Sequence, residues 1–366
     1  MRKLKPFDKT IFVVTAVLVL AGFFIFMSAS LGLLARDGAQ FSDIAASQFI
    51  LGVVGGFVAL FITSFIPYRF WRQYSMWLFI VAVVLTLAVF IPGIGLELNG
   101  ARRWLDLGVT TFQPAELLKI AYVLYLGAWL SQRKGKKLKP EQGIIPFSII
   151  TGIAGLVLLI QPDTGTFLVL ASAGGAMFIT AGARMRDIAV LVLVAVIGLG
   201  ALAVARPYVL DRLTTFVDSS QDPLGSSYQV RQSLIAIGSG NMFGRGFGQS
   251  VQKFNYLPEP TSDSIFAVYA EEFGFLGSAL LLVGFVVFAL RSLYVSVRAP
   301  DMYGGLIVVG IAILVIAQSF LNIGAMLGVL PLTGLPLIFV SHGGSALFMA
   351  LASIGILLNV SRFAQK

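Results

Sequence analysis

"IFVVTAVLVLAGFFIFMSASLGLL", residues 11–34, contains no charged side chain. About 20 apolar residues cross a hydrocarbon core roughly 30 Å thick, so this stretch is long enough to span a bilayer. The basic start before it, "MRKLKPFDK" at 1–9, would suit a signal peptide. The run is too long for one, however, and no small-residue cleavage pattern follows. It reads as the first of a series of membrane spans.

Working outward, comparable runs recur at roughly 46–66, 74–92, 112–131, 143–161, 164–182, 188–206, 264–290, 303–328 and 337–360. Apolar residues make up 57% of the 366 positions, charged residues only 12%, and the mean hydropathy is +0.91. A soluble domain carries about a quarter charged residues. The expectation is an all-α polytopic membrane protein, one transmembrane domain over 1–366 with about ten helices.

The charge pattern orients the spans. Arg2, Lys3, Lys5 and Lys9 fall on one side with "YRFWRQ" (68–73), "QRKGKKLKPEQ" (132–142), "ARMRD" (183–187), "RSLYVSVRAPD" (291–301) and "SRFAQK" (361–366). By the positive-inside rule that side is cytoplasmic and holds both termini. The same rule accounts for the net charge of +9, which therefore does not point to a nucleic-acid partner. With no Cys and a single His, His342, the chain has no disulfide, no thiolate nucleophile and no multi-His metal site.

Two outer segments depart from this economy. One is "GIGLELNGARRWLDLGVTTF", 93–112. The other is a loop of about 207–263 between the seventh and eighth spans, carrying Arg212, Arg231, Arg245 and Lys253. A connection that long is functional or unstructured. "YQVRQSLIAIGSG", 228–240, has helical apolar spacing with a Gly stop, which predicts a structured loop lying on the membrane. Its Gly-rich "GSGNMFGRGFG" lacks the lysine pattern of a nucleotide loop.

Charges within or beside spans mark candidate function, because they are costly there. Glu116 and Lys119, three apart in "FQPAELLKIAYVLYLGAWL", share a helical face. They read either as a self-neutralising pair orienting helices or as a pair shaping a polar cavity. Asp163, after Pro162, is either a helix cap or a cavity wall. Arg102 and Arg103 beside Trp104 are either interface anchors or a phosphate clamp, the pairing favouring phosphate. In "YLPEPTSDSIFAVYAEEFG", 256–274, Pro258 and Pro260 forbid helix through the first half. Asp263 then sits at a helix entry, as a cap or as part of a site. Glu271 and Glu272 fall two turns deeper, where a solvent-lined cavity would hold them most cheaply. Acids converging at one depth suggest a site in which one carboxyl is raised enough to act as a base. His342 has no acid partner in sequence, so no Ser/His triad is expected.

At these residues the chain closely resembles the SEDS family (shape, elongation, division and sporulation), the bacterial peptidoglycan polymerases typified by FtsW and RodA. The motifs are "NGARRWLDLG" (99–108), "FQPAELLKI" (112–120), "QPDTGT" (161–166), "DPLGSSYQVRQSLIAIGSG" (222–240), "FGRGFGQSVQKFNYLPE" (243–259), "DSIFAVYAEEFGFLG" (263–277) and "NIGAMLGVLPLTGLPLIFVSHGGSALF" (322–348). "QSLIAIGSG" followed by "SVQKFNYLPE" reads as the FtsW branch. The family's catalytic Asp, in a motif usually reading LPE-x-H-T-D-F-I-F, falls on Asp263. Here Glu259 is followed by Pro260, Thr261 and Ser262, and Ser264 follows the Asp. The usual SYGGSS appears as Ser341, His342, Gly343, Gly344, Ser345 and Ala346.

The resemblance implies an inverting lipid II polymerase at the outer face of the bacterial cytoplasmic membrane, making septal wall. Asp263 would be its base, and Arg102, Arg103 or Arg245 would hold the pyrophosphate, with room for a divalent cation, Mg2+ or Mn2+. Glu116, Lys119 and Asp163 would shape the cavity. The implied partners are a class B penicillin-binding protein and other divisome or elongasome membrane proteins. The alternatives are a RodA-type elongation polymerase, a lipid II flippase and a divisome scaffold.

Overall fold

The structure is a computed structural model that describes residues 6–34, 38–98, 101–106, 108, 111–132, 143–217, 226–254 and 256–364. The N-terminal cations Arg2, Lys3 and Lys5 and all of the basic segment 132–142 but Gln132 lie outside the described residues.

The helices, in chain order, are α1 (Lys9–Leu34), α2 (Gly38–Ser47), α3 (Gly56–Phe65), α4 (Tyr68–Ala88), α5 (Pro114–Ser131), α6 (Ile144–Ile160), α7 (Thr164–Thr180), α8 (Met185–Ala205), α9 (Pro207–Val217), α10 (Ser226–Ser239), α11 (Ile265–Val297), α12 (Met302–Met326) and α13 (Gly344–Phe363). A π-helical segment, Gln48–Gly55, joins α2 to α3. Among the described residues, seven helical stretches are long and apolar enough to cross a membrane, and α6 and α7 are shorter apolar helices. With α5, they occupy all ten sequence-predicted positions. The protein is a multi-pass helical membrane protein. Large apolar side chains exposed along α1, α4, α8 and α11 face lipid, where a helix satisfies its own backbone.

The core lies where α12 packs on α5, α7 and α11, and α13 packs on α3. Most of α12 and α13 is buried, whereas α8 is almost wholly exposed. Small residues permit the close approaches. A Cβ on Gly355 would lie 2.0 Å from Thr63 Oγ1, and one on Gly310 2.5 Å from a Val123 methyl. At one end of the bundle Arg291 binds Asp8 at 2.8 Å and the Asp8 amide donates to Ser361, tying α1, α11 and α13 together.

Four features differ from the sequence reading. The chain is not purely helical, because Gly95–Leu98, Ala101–Asp106 and Thr111–Phe112 (β1, β2, β3) form a small antiparallel sheet. Its strands are too short, and its Arg pair too polar, to register against the surrounding apolar runs. The third span starts at Tyr68 rather than 74, straight after Pro67. The last helix starts at Gly344 rather than 337, so 329–343 is irregular chain folded into the protein.

Finally, α11 is broken at Gly274, with φ 66° and ψ −162°. The break leaves backbone groups that membrane depth would not tolerate bare. The Gly-rich segment supplies their partners. The amides of Arg245 and Gly246 donate to the carbonyls of Glu271 and Glu272, and the amides of Phe275 and Leu276 donate to the carbonyls of Asn241 and Met242. Glycine is required for so close a fit: a Cβ at Gly244 would fall 2.1 Å from the Glu272 carbonyl oxygen, and one at Gly274 2.3 Å from the Gly244 nitrogen.

Candidate active site

Asp263 lies one residue ahead of Ser264, the N-cap residue of α11, and that end carries no side-chain cap. Its carboxylate is therefore not spent on capping. The backbone around it is held from three sides. The Thr261 carbonyl accepts from the His342 amide (2.7 Å), the Ser262 carbonyl from Ser341 Oγ (2.6 Å), and the Asp263 carbonyl from Asn322 Nδ2 (2.7 Å). Ser341 Oγ also accepts from the Leu337 amide, and Asn322 Nδ2 also donates to the Leu335 carbonyl. The acid loop and the 329–343 segment are thus stitched together, while the Asp263 side chain keeps partial exposure.

Burial, the largest cause, and the neighbouring Glu259 charge push the Asp263 carboxyl up to about 6, while Arg212 and Arg103 pull it back down. Both guanidiniums are fastened by carbonyls. Arg212 Nη1, from α9, donates to the Thr333 carbonyl at 3.1 Å. A methyl group placed on Gly334 would lie 3.4 Å from Arg212 Nη2 and 3.7 Å from Asp263 Oδ2. Arg103, from β2, donates to the Gln161 carbonyl (3.2 Å) and the Pro162 carbonyl (2.5 Å) at the α6–α7 junction. A largely buried carboxyl of raised pKa, acted on by two anchored guanidiniums, is equipped to take a proton from a substrate whose other part is anionic.

A buried polar chain supports this arrangement. Glu116, in the first turn of α5 behind Pro114, binds Lys119 at 2.9 Å, and both are buried. Lys119 Nζ donates to Gln318 Oε1 at 2.6 Å, and Gln318 Nε2 donates to the Pro336 carbonyl at 3.0 Å. Gln318 lies one helical turn from Asn322, so α12 presents both amides to the 335–336 backbone. The pair thus neutralises itself and also positions the segment beside Asp263. Asp163 caps α7 through Oδ1, which accepts from the Thr166 amide. Its Oδ2 is buried without a hydrogen-bond partner.

Glu271 and Glu272 do not line a cavity with Asp263, contrary to the sequence expectation. They are completely buried and belong to a separate network. Glu271 accepts from Ser250 Oγ and the amides of Val251 and Gln252. Glu272 binds Lys253 at 2.7 Å and accepts from Ser28 Oγ and the Ser250 amide. The loop satisfies these acids and is pinned by them, a role invisible in sequence because it depends on the α11 break. Arg245 is drawn to the same place, 3.5 Å from Glu271. Arg102 pairs with Glu97 at 3.0 Å on the sheet's exposed face, the strand alternation turning it opposite to Arg103. Neither is among the charges acting on Asp263.

His342 stacks on Phe26, ring centroids 5.9 Å apart, and burial pulls its imidazole pKa down. Gly343 donates its amide to Gln48 Oε1, and Gln48 Nε2 donates to the Ser341 carbonyl. Gly344 lets α13 start against α2: a Cβ there would meet the Ser47 carbonyl oxygen at 3.3 Å.

Sequence reasoning missed Gln48, Arg212, Gln318 and Asn322. Three are neutral amides, which raise no alarm in an apolar run. Arg212 was noted only as one loop cation among several. Among the described residues no group of three His, Cys, Asp or Glu side chains could hold a metal ion. The described residues therefore do not by themselves make the divalent-cation site that the resemblance allowed, and Mg2+ would need substrate phosphates to complete its shell.

Residues 8–366 match the model of the FtsW/RodA/SpoVE family, described as cell cycle proteins. The chain is 39% identical over 310 residues to stage V sporulation protein E of Bacillus subtilis, covering 85% of each. It is 35% identical over 364 residues to the probable peptidoglycan glycosyltransferase FtsW of a Geobacter species, covering 99% of this chain and 98% of the relative. Among solved structures, it matches a chain of a peptidoglycan synthase complex that coordinates polymerisation and crosslinking, with a TM-score of 0.78 at 26% identity, covering 97% and 98% of the two chains. It also matches the rod shape determining protein RodA of Thermus thermophilus, with a TM-score of 0.71 at 27% identity and 98% of each chain covered.

Proposed function

Because the chain belongs to the FtsW/RodA/SpoVE family, we propose that it is a peptidoglycan glycosyltransferase that polymerises lipid II, an undecaprenyl-pyrophosphate-linked disaccharide pentapeptide, with Asp263 as general base. The observation that carries the reading is the placement of Asp263: raised to about 6 and acted on by Arg103 and Arg212. Asp263 takes the proton of the acceptor sugar's 4-hydroxyl. That oxygen attacks C1 of the donor with inversion, forming the β-1,4 bond as the bond from C1 to the pyrophosphate breaks. Charge then develops on the departing pyrophosphate, which Arg103 and Arg212, the two guanidiniums acting on Asp263, would stabilise. Energy arrives with this lipid-borne leaving group, as it must where no nucleotide is present.

Relatives named FtsW over nearly the whole chain favour septal wall synthesis in a bacterial cytoplasmic membrane. The RodA likeness makes elongation the second reading. The synthase-complex neighbour supports a class B penicillin-binding protein as the crosslinking partner. The test is purified protein with fluorescent lipid II, with and without its cognate transpeptidase. Glycan ladders from wild type that vanish in Asp263→Asn support the reading. Transfer of lipid II across liposomes without any chain growth would replace it with a flippase.

A further inference from the structure

The surroundings of α11 change at its break. Above Gly274 the helix is buried from Ile265 to Glu272. Immediately below it Phe275 is 62% exposed and Leu276 48%, and Leu280 follows at 71% on the lipid-facing side. The Gly-rich segment runs alongside this change, held there by the amides of Phe275 and Leu276, which donate to the Asn241 and Met242 carbonyls. It exposes large apolar side chains of its own, Met242, Phe243 and Phe247, with Phe243 81% exposed. The Phe247 ring also meets Phe273, centroids 6.4 Å apart. A loop tip surrounded by water seldom gathers so much exposed apolar surface.

Two helices measure the depth of this surface. The Arg291–Asp8 ion pair lies at the end that the charge pattern assigns to the cytoplasm. At about 1.5 Å per residue, the climb from this pair is about 30 Å to Ser28 along α1 and about 28 Å to Glu272 along α11. Ser28 Oγ donates to the Glu272 carboxylate, so both climbs end at one level. A hydrocarbon core is about 30 Å thick. The break and the segment against it therefore lie at the outer boundary of the hydrocarbon, where aromatic rings are favoured. The one cation of the turn, Arg245, is compensated there by Glu271 at 3.5 Å, as a charge at that depth requires.

We propose that the 242–247 turn is a wedge seated in the outer leaflet, with Phe243 and Phe247 inserted among the lipid acyl chains. Behind it lies the buried network of Glu271, Glu272 and Lys253, joined to the turn by the amides of Arg245 and Gly246, which donate to the carbonyls of Glu271 and Glu272. Seated in lipid, the turn closes this network off from water, and the bilayer helps to hold the part of α11 that leads up to Asp263. The inference rests on the fold alone and stands whatever reaction Asp263 serves.

The chain contains no cysteine, so a single introduced thiol carries a unique label. Phe243→Cys and Phe247→Cys, each labelled with bimane, are placed as full-length protein in dioleoylphosphatidylcholine vesicles. Lipid with brominated acyl chains quenches from within the bilayer, and iodide quenches from water. Leu280→Cys is the lipid-facing reference, and Asp106→Cys, exposed on the sheet, is the aqueous one. Both loop labels are expected to lose most of their fluorescence to brominated lipid, as Leu280→Cys does, and to be quenched several-fold less by iodide than Asp106→Cys. Should either labelled protein fail to keep the wild-type thermal midpoint, Met242→Cys gives the same readout. Iodide quenching without quenching by brominated lipid would overturn the proposal by placing the turn in water. Quenching by neither would overturn it too, by showing that protein covers the surface. Phe243→Asp combined with Phe247→Asp is expected to open the 240–254 segment to protease in the same vesicles. An unchanged cleavage pattern would contradict the claim that lipid holds the turn closed.

Discussion

Replacing Lys253 by Met is expected to destabilise the protein strongly. Lys253 is fully buried, with Nζ 2.7 Å from Glu272 Oε1, 3.2 Å from Ser28 Oγ and 2.8 Å from the Gly248 carbonyl. Methionine keeps the packing volume but leaves the Glu272 carboxylate buried with neutral partners only, Ser28 Oγ and the Ser250 amide. Removing one partner of a buried ion pair costs about 3–5 kcal/mol, chiefly because the surviving charge stays in a low-dielectric interior. Removing both charges costs far less, so Lys253→Met combined with Glu272→Gln should recover most of the loss. The assay is thermal unfolding of the four proteins (wild type, two singles and the double) in one detergent at one scan rate, since membrane-protein unfolding is commonly irreversible. The expected order of midpoints is wild type, double variant, then Lys253→Met lowest. A double variant as unstable as Lys253→Met would refute the view that the charge, rather than loop packing, carries the energy.

Other outcomes follow from the same geometry. Gly274→Ala should abolish activity and lower stability, because the new methyl would meet the Gly244 amide at 2.3 Å in a left-handed backbone; limited proteolysis of the 240–254 loop would report its release. Lys119→Met should cut glycan synthesis while leaving partner binding intact, because it strands Glu116 and frees Gln318 from its Lys119 bond; pull-down and polymerisation assays separate the two effects. Asp263→Asn should stabilise the protein at neutral pH. A carboxyl raised from 3.8 to about 6 favours its protonated form in the fold, so ionising it costs about 3 kcal/mol. That penalty is present above about 6 and disappears as pH falls toward 4, so the midpoints of wild type and Asp263→Asn should converge on acidification.

The membrane class and the approximate places of the apolar helices were legible in sequence, because each rests on a run of apolar residues that few other structures explain. The pairing of Glu116 with Lys119 and the capping by Asp163 were legible too, since charge beside an apolar run is costly and conspicuous. What escaped was how the pieces meet. Glu271 and Glu272 stand eight and nine residues after Asp263 and looked like part of one site. The break at Gly274 and the loop that fills it place them in another. Adjacent Arg102 and Arg103 looked like one clamp, yet strand alternation sends only Arg103 to the α6–α7 junction. Gln48, Gln318 and Asn322 hold the site by backbone hydrogen bonds from far along the chain, and a neutral amide in a span gives no warning of what it will touch. The small sheet was hidden for a similar reason, its pairing depending on a short hairpin and not on periodicity.

The central claim is that the surroundings of Asp263 raise its carboxyl to about 6 so that it serves as the base. The pH dependence of lipid II polymerisation by the purified protein with its cognate transpeptidase tests this most directly, measured for wild type and Glu259→Gln at substrate well below saturation. Wild-type rates should fall on the acid side with an apparent pKa near 6. Glu259→Gln removes a charge that raises the carboxyl, so its acid limb should lie at lower pH. An acid limb that stays in place when Glu259 is neutralised, or rates flat from pH 8 down to 5, would contradict the account.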